Sequence, residues 1–137
     1  MATKNLWGGP LTVEIKPPVA ILAEQAGLVG EMTNNILEGK IDNQGQGKTF
    51  AYELDIVAPA LNNYVYAVLR IEHSIQFYPL RIMSYAEPSF FDKPQECKDE
   101  IEFVNTLEQI LSSNKVRAVL SALLIQSRAF PKQESPF

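Results

Sequence analysis

Between Lys48 and Met83 three apolar/polar alternations follow one another across short connections, and no other stretch restricts the fold as much. In Phe50, Tyr52, Leu54 and Ile56 the apolar side chains take even positions, with Ala51, Glu53 and Asp55 between them. A period of two sends alternate residues to opposite faces, so the run predicts a strand with one buried face. The next run inverts the parity: Val65, Ala67, Leu69 and Ile71 are apolar, and Tyr66, Arg70 and Glu72 fall between them. A hairpin centred near Ala60 and Leu61 sets Ile56 opposite Val65, Leu54 opposite Ala67, Tyr52 opposite Leu69 and Phe50 opposite Ile71, all on the apolar face. Tyr78 to Met83 returns to even parity through Leu80 and Ile82. A turn at Ser74 and Ile75 sets Leu80 opposite Leu69 and Ile82 opposite Ala67. Pro79 lacks an N–H, which places this strand at a sheet edge.

The flanking segments switch to helical spacing. Pro17 and Pro18 suit the opening of a helix, and Ile21, Leu22, Ala26, Leu28, Val29 and Met32 form its stripe to about Thr33. Gly27 and Gly30 interrupt it, at roughly 1 kcal/mol each relative to alanine; they either permit close packing on the sheet or weaken the helix. Leu37, Gly39 and Ile41 alternate weakly before the turn at residues 44–47, a first hairpin into the Phe50 strand. Beyond Met83, a loop carries Phe90 and Phe91. Asp92 followed by Gln95 resembles a capping box opening a helix at about 94–112, with Ile101, Val104, Leu107, Ile110 and Leu111 on its buried side. Val116, Val119, Leu120, Leu123, Leu124 and Ser127 give a last amphipathic helix over 115–128, which Pro131 stops.

These elements predict an α+β fold: a two-layer sandwich of a four-stranded antiparallel meander with an N-terminal helix and two C-terminal helices on one face. Leu11, Val13 and Ile15 alternate, and are the candidate fifth strand. Residues 1–10 and 129–137 read as mobile ends of a single domain over 1–137. A length of 137 residues with 46% hydrophobic and 20% charged side chains is enough for a core without staples. The formal net charge of −4 argues against a nucleic-acid partner, which calls for clustered Lys and Arg. No stretch approaches the ~20 apolar residues of a membrane span. A single cysteine, Cys97, cannot form an internal disulfide, and points to a reducing, cytoplasmic setting.

Chemistry-bearing residues are sparse. Gly45-Gln-Gly47-Lys48-Thr49 ends like a phosphate loop, yet Asp42 occupies the position of the required first glycine, and two predicted strands flank it. A hairpin turn is the better reading. His73 is the only histidine, which leaves no metal site of several histidines. With Tyr52 and Tyr78 it could line a helix–sheet pocket for a small molecule or a hydrolytic reaction. Cys97 falls near a helix start, where the dipole favours a thiolate, but Glu96, Asp99 and Glu100 oppose that, and a half-buried structural cysteine is the expectation. Glu53, Asp55, Glu72 and Arg70 share the outer sheet face, where Glu53 and Arg70 could pair across strands. Tyr64 and Tyr66 fall on the same face, and tyrosine is enriched at interfaces. No cofactor, metal or catalytic set emerges. The leading expectation is a non-enzymatic protein-binding protein of adaptor, inhibitor, immunity or chaperone type. Its surface would be the outer sheet face (Tyr64, Tyr66, Arg70, Glu72) or the acidic helix start (Asp99, Glu102). Self-association through an unprotected sheet edge or the outer face is the remaining alternative.

Overall fold

The computed structural model describes residues 3–11, 14–86 and 94–130. Helix α1 (Pro18–Met32) leads into β1 (Glu38–Asn43), β2 (Phe50–Ala58), a short 3-10 turn (Pro59–Leu61), β3 (Tyr64–His73), β4 (Leu80–Ser84) and β5 (Gln95–Cys97). Helices α2 (Glu100–Leu111) and α3 (Asn114–Arg128) follow. The strands form one antiparallel sheet in sequence order. Its inner face and all three helices contribute to one buried cluster, the two-layer α+β sandwich that the alternation implies.

The fifth strand comes from Gln95–Cys97. At the N-terminal candidate, Leu11 and Ile15 belong to no strand and are exposed, while residues 12 and 13 lie outside the described residues. Strand β4 is therefore interior, between β3 and β5. Pro79 precedes it across a cis Tyr78–Pro79 bond and takes no ladder position. The β3–β4 connection is longer than a tight turn, so Ile71 faces Ile82 and Leu69 faces Ser84.

The β2–β3 ladder differs more informatively. Phe50 faces His73, Tyr52 faces Ile71 and Leu54 faces Leu69, two residues from the expected register. A bulge then follows, after which Asp55 faces Ala67, Ile56 faces Tyr66 and Ala58 faces Tyr64. Val68 is the extra residue, and a bulge re-aims the chain beyond it. Val68 and Leu69 are both fully buried, and parity inverts on the Tyr64 side. Val65, expected in the core, is 53% exposed. Phe50, at the far end of the ladder, is also partly exposed rather than buried.

Helix α1 starts at Pro18 as its proline pair requires. It ends where Thr33 donates to the Val29 carbonyl at 2.8 Å and accepts from Leu37 N–H at 3.1 Å. Asn34 and Asn35, at φ 51° and 63°, turn the chain back. The glycine that admits close packing lies on the strand. A Cβ at Gly39 would overlap the Ala26 carbonyl oxygen and come 2.6 Å from its Cα, whereas one at Gly27 would meet nothing within 4 Å. Gly27→Ala is accordingly expected to stabilise the protein by up to ~1 kcal/mol, read as a higher thermal midpoint; an unchanged or lower midpoint would show that Gly27 is held for another reason.

Helix α2 starts later than expected. Asp99 Oδ1 accepts from Glu102 N–H at 2.9 Å, and Glu102 Oε1 accepts from Lys98 N–H at 3.2 Å. The expected cap, Asp92, lies outside the described residues, as do Phe90 and Phe91. Phe103, Thr106, Leu107 and Ile110 form the buried side of α2, and Ile101 is exposed instead. Ser113 caps α3 through Val116 N–H at 3.3 Å, and Val116, Leu123 and Ser127 are buried on the expected stripe.

Candidate functional site: an apolar groove between the helices

The residues expected to carry function are dispersed. Tyr64 and Tyr66 sit beyond the bulge on the inner face, so they do not share a face with Arg70 and Glu72. Tyr66 packs against the core, its hydroxyl is buried without a partner, and burial, with Tyr64 beside it, raises its pKa. On the outer face Arg70 reaches Glu72 at 3.4 Å rather than Glu53, which it faces across the ladder. Arg81 adds a 3.6 Å contact to Glu72. Asp99 and Glu102 are committed to capping α2.

His73 and Tyr52 are neighbours, with ring centroids 6.2 Å apart, and Phe50 stacks on His73 at 5.6 Å. The histidine is only 8% exposed; its Nδ1 lies 2.7 Å from the Ser74 carbonyl and its Nε2 is buried without a partner. Tyr78 instead rests against Phe103 of α2 at 6.5 Å. Burial, reinforced by Glu100, Cys97 and Asp99, pushes its hydroxyl up to about 12. Tyr52, His73 and Tyr78 line neither of the two concavities that lie between the helices and the sheet. Cys97 is fully buried at the end of β5, with Sγ 3.7 Å from Thr106 Oγ1. Burial raises its pKa above that of a free thiol, with Glu102 and Asp99 adding to the rise. The glycine-rich run is a tight turn: Gln46 and Thr49 exchange backbone bonds at 3.0 and 2.9 Å, and Gly47 has φ 59°.

The outer face does hold a perturbed carboxyl. Asp55 is raised from 3.8 to about 7, first by burial, then by its hydrogen bond with Glu53 and by repulsion from Glu53 and Asp42. The Tyr85 hydroxyl also bonds Glu53, and Lys40, opposite Asp55, pairs with Glu38 at 3.7 Å instead. Among the described residues no group of three or more His, Cys, Asp or Glu is placed to hold a metal. Between about pH 4 and 7 folded Asp55 keeps a proton that the unfolded chain has released, so its contribution to stability falls as pH rises through that window. Asp55→Asn is expected to gain about 1 kcal/mol on wild type in going from pH 5 to pH 8, since partial exposure screens the rest of the shift. Urea unfolding at the two pH values measures this, and parallel behaviour of the two proteins would assign Asp55 an ordinary carboxyl.

One concavity lies on the helical side. A groove of about 390 Å³ separates α1 from α2 and α3. Ile21, Gln25, Leu28, Val29 and Met32 of α1 form one wall, and Val104, Leu107, Glu108 and Leu111 of α2 with Val116, Arg117 and Leu120 of α3 form the other. Leu54, Ile56 and Val68 are its floor. Both walls are stripes at helical spacing, and the α1 stripe, eleven helical steps from Ile21 to Met32, runs about 16 Å. Leu28, Met32 and Val104 leave apolar surface open at the mouth, Met32 at 65% exposure. Glu108 and Arg117 are its charged groups; both are exposed, and neither is in an ion pair with another described residue. A second cleft of about 200 Å³ between β4, β5 and α2 is lined by Ile82, Ser84, Gln95, Thr106, Gln109, Ile110 and Ser113.

Sequence reasoning missed the groove, because it assigned Val104 and Leu28 to the core. The available signal was the width of the α1 stripe, which exceeds what one sheet contact buries. No protein-family model, curated protein or solved structure matches the chain. Among the described residues no helix is long and apolar enough to cross a membrane.

Proposed function

We propose that this chain is a non-enzymatic protein-binding protein whose docking surface is the groove between α1 and the α2–α3 pair. The observation that carries this reading is the pair of facing apolar stripes, open to solvent at Leu28, Met32 and Val104. Exposed apolar surface bounded by polar residues marks contact sites, and methionine at a rim adapts to varied partners. A groove about three turns long between two helices suits an amphipathic helix with apolar anchors at i, i+3 or i+4, and i+7. Glu108 and Arg117 at the mouth would select complementary charges on its flanks. The outer sheet face suits docking less, since Arg70 and Arg81 already pair with Glu72 there.

A designed amphipathic helix with leucines at that spacing, carrying a fluorophore, provides the test. It is expected to bind the full chain, with affinity at least tenfold weaker in Met32→Lys, because a charge would have to be desolvated in the groove mouth. Met32 is exposed, so the melting temperature should not change. Equal binding by both proteins, or none by either, would remove the groove as a helix-docking surface.

A further inference from the structure

We infer that the groove also receives the N-terminal arm of a second copy of this chain, giving a two-fold pair by arm exchange. This rests on the groove being an apolar docking surface. The arm is a further uncovered apolar feature among the described residues: Leu6, Trp7 and Leu11 are almost bare, Trp7 at 90% exposure. Its tip has a defined shape. The Asn5 side-chain oxygen accepts Trp7 N–H at 2.9 Å, and Gly8 and Gly9 adopt φ 90° and 98°, a conformation that costs glycine little. Trp7 is thus presented at a preformed turn, which lowers the ordering cost of docking.

The dimensions agree. Trp7 and Leu11 can be at most ~13 Å apart, within the ~16 Å length of the groove. A buried aromatic of this size removes roughly 150–250 Å² from water. Two exchanged arms, each with its leucines and the groove surface they cover, bring the total toward ~1,200 Å², the lower end of stable interfaces. The exchange is reciprocal, so it closes at two copies. In the single chain the arm is not seated in its own groove. Its root is held at α1, where Lys16 Nζ lies 2.6 Å from Glu24 on the exposed flank and Pro17 is extended at φ −71°, ψ 157°.

Trp7 is the only tryptophan, so its fluorescence reads the arm in the full chain without a label. As protein concentration rises, its emission should shift to shorter wavelength while light scattering reports a doubled mass, and Trp7→Ala should remain monomeric. Both changes should be lost in Met32→Lys/Val104→Lys, whose substitutions lie at exposed groove positions. A blue-shifted emission in a monomer would mean that the arm covers its own groove, and overturns the exchange. A dimer with solvent-like Trp7 emission overturns it in favour of another interface. A monomer with solvent-like emission at every concentration overturns it too, and leaves the groove to be judged by the designed helix alone.

Discussion

Gly39→Ala is expected to destabilise the protein by about 3 kcal/mol, toward the upper end for inserting a single methyl into a packed interior. The new Cβ would overlap the Ala26 carbonyl oxygen and crowd its Cα and carbonyl carbon at 2.6 and 2.8 Å. These are backbone atoms of a buried helix turn, and they cannot rotate away as a side chain would. Relief requires α1 to lift from β1, and α1 is one wall of the groove. Urea unfolding measures the loss. Ala26→Gly should fail to restore it, because the clash is with the helix backbone; full recovery in the double variant would place the conflict on the Ala26 methyl instead.

Phe103→Ala should cost about 3–5 kcal/mol, as large-to-small changes at fully buried aromatics do. Phe103 has no exposed surface, and its ring meets Tyr78 at the entry to β4. Its loss would loosen α2 against β5 and so the second wall of the groove. Ile101→Ala, two residues earlier on the same helix, provides the contrast: Ile101 is exposed, and its truncation should change stability by less than ~0.5 kcal/mol. Similar losses at the two positions would mean that α2 is rotated from the orientation described.

That contrast shows what the sequence discloses. Long alternation fixed the identity of β2 and β3, because period two over seven residues has one physical interpretation. It could not reveal the bulge, since Val68 is as apolar as its neighbours and an inserted residue alters no composition. Strand β5 is only three residues long, too short to display any period. The start of α2 was ambiguous in kind: Asp92 with Gln95 and Asp99 with Glu102 both have cap spacing, and only the latter makes the bonds. Ile101 and Val104 read as core because a stripe tells which residues are apolar, not which of them another element covers. The groove is made of that difference. It depends on how far α1 stands from α2 and α3, a distance set by close contacts such as Gly39 on Ala26 and by no local pattern.

The bulge at Val68 has a practical bearing on any attempt to map contacts with attached probes. Residues 66 and 70 are four apart on one strand, and on a regular strand labels there would report the same side. Here Tyr66 stands opposite Ile56 and Arg70 opposite Glu53, so a spin label at one looks toward the helices and at the other toward open solvent. A single strand thus offers two reporters of opposite surfaces, and a contact map that assumes an unbroken pleat would assign a partner to the wrong side of the molecule.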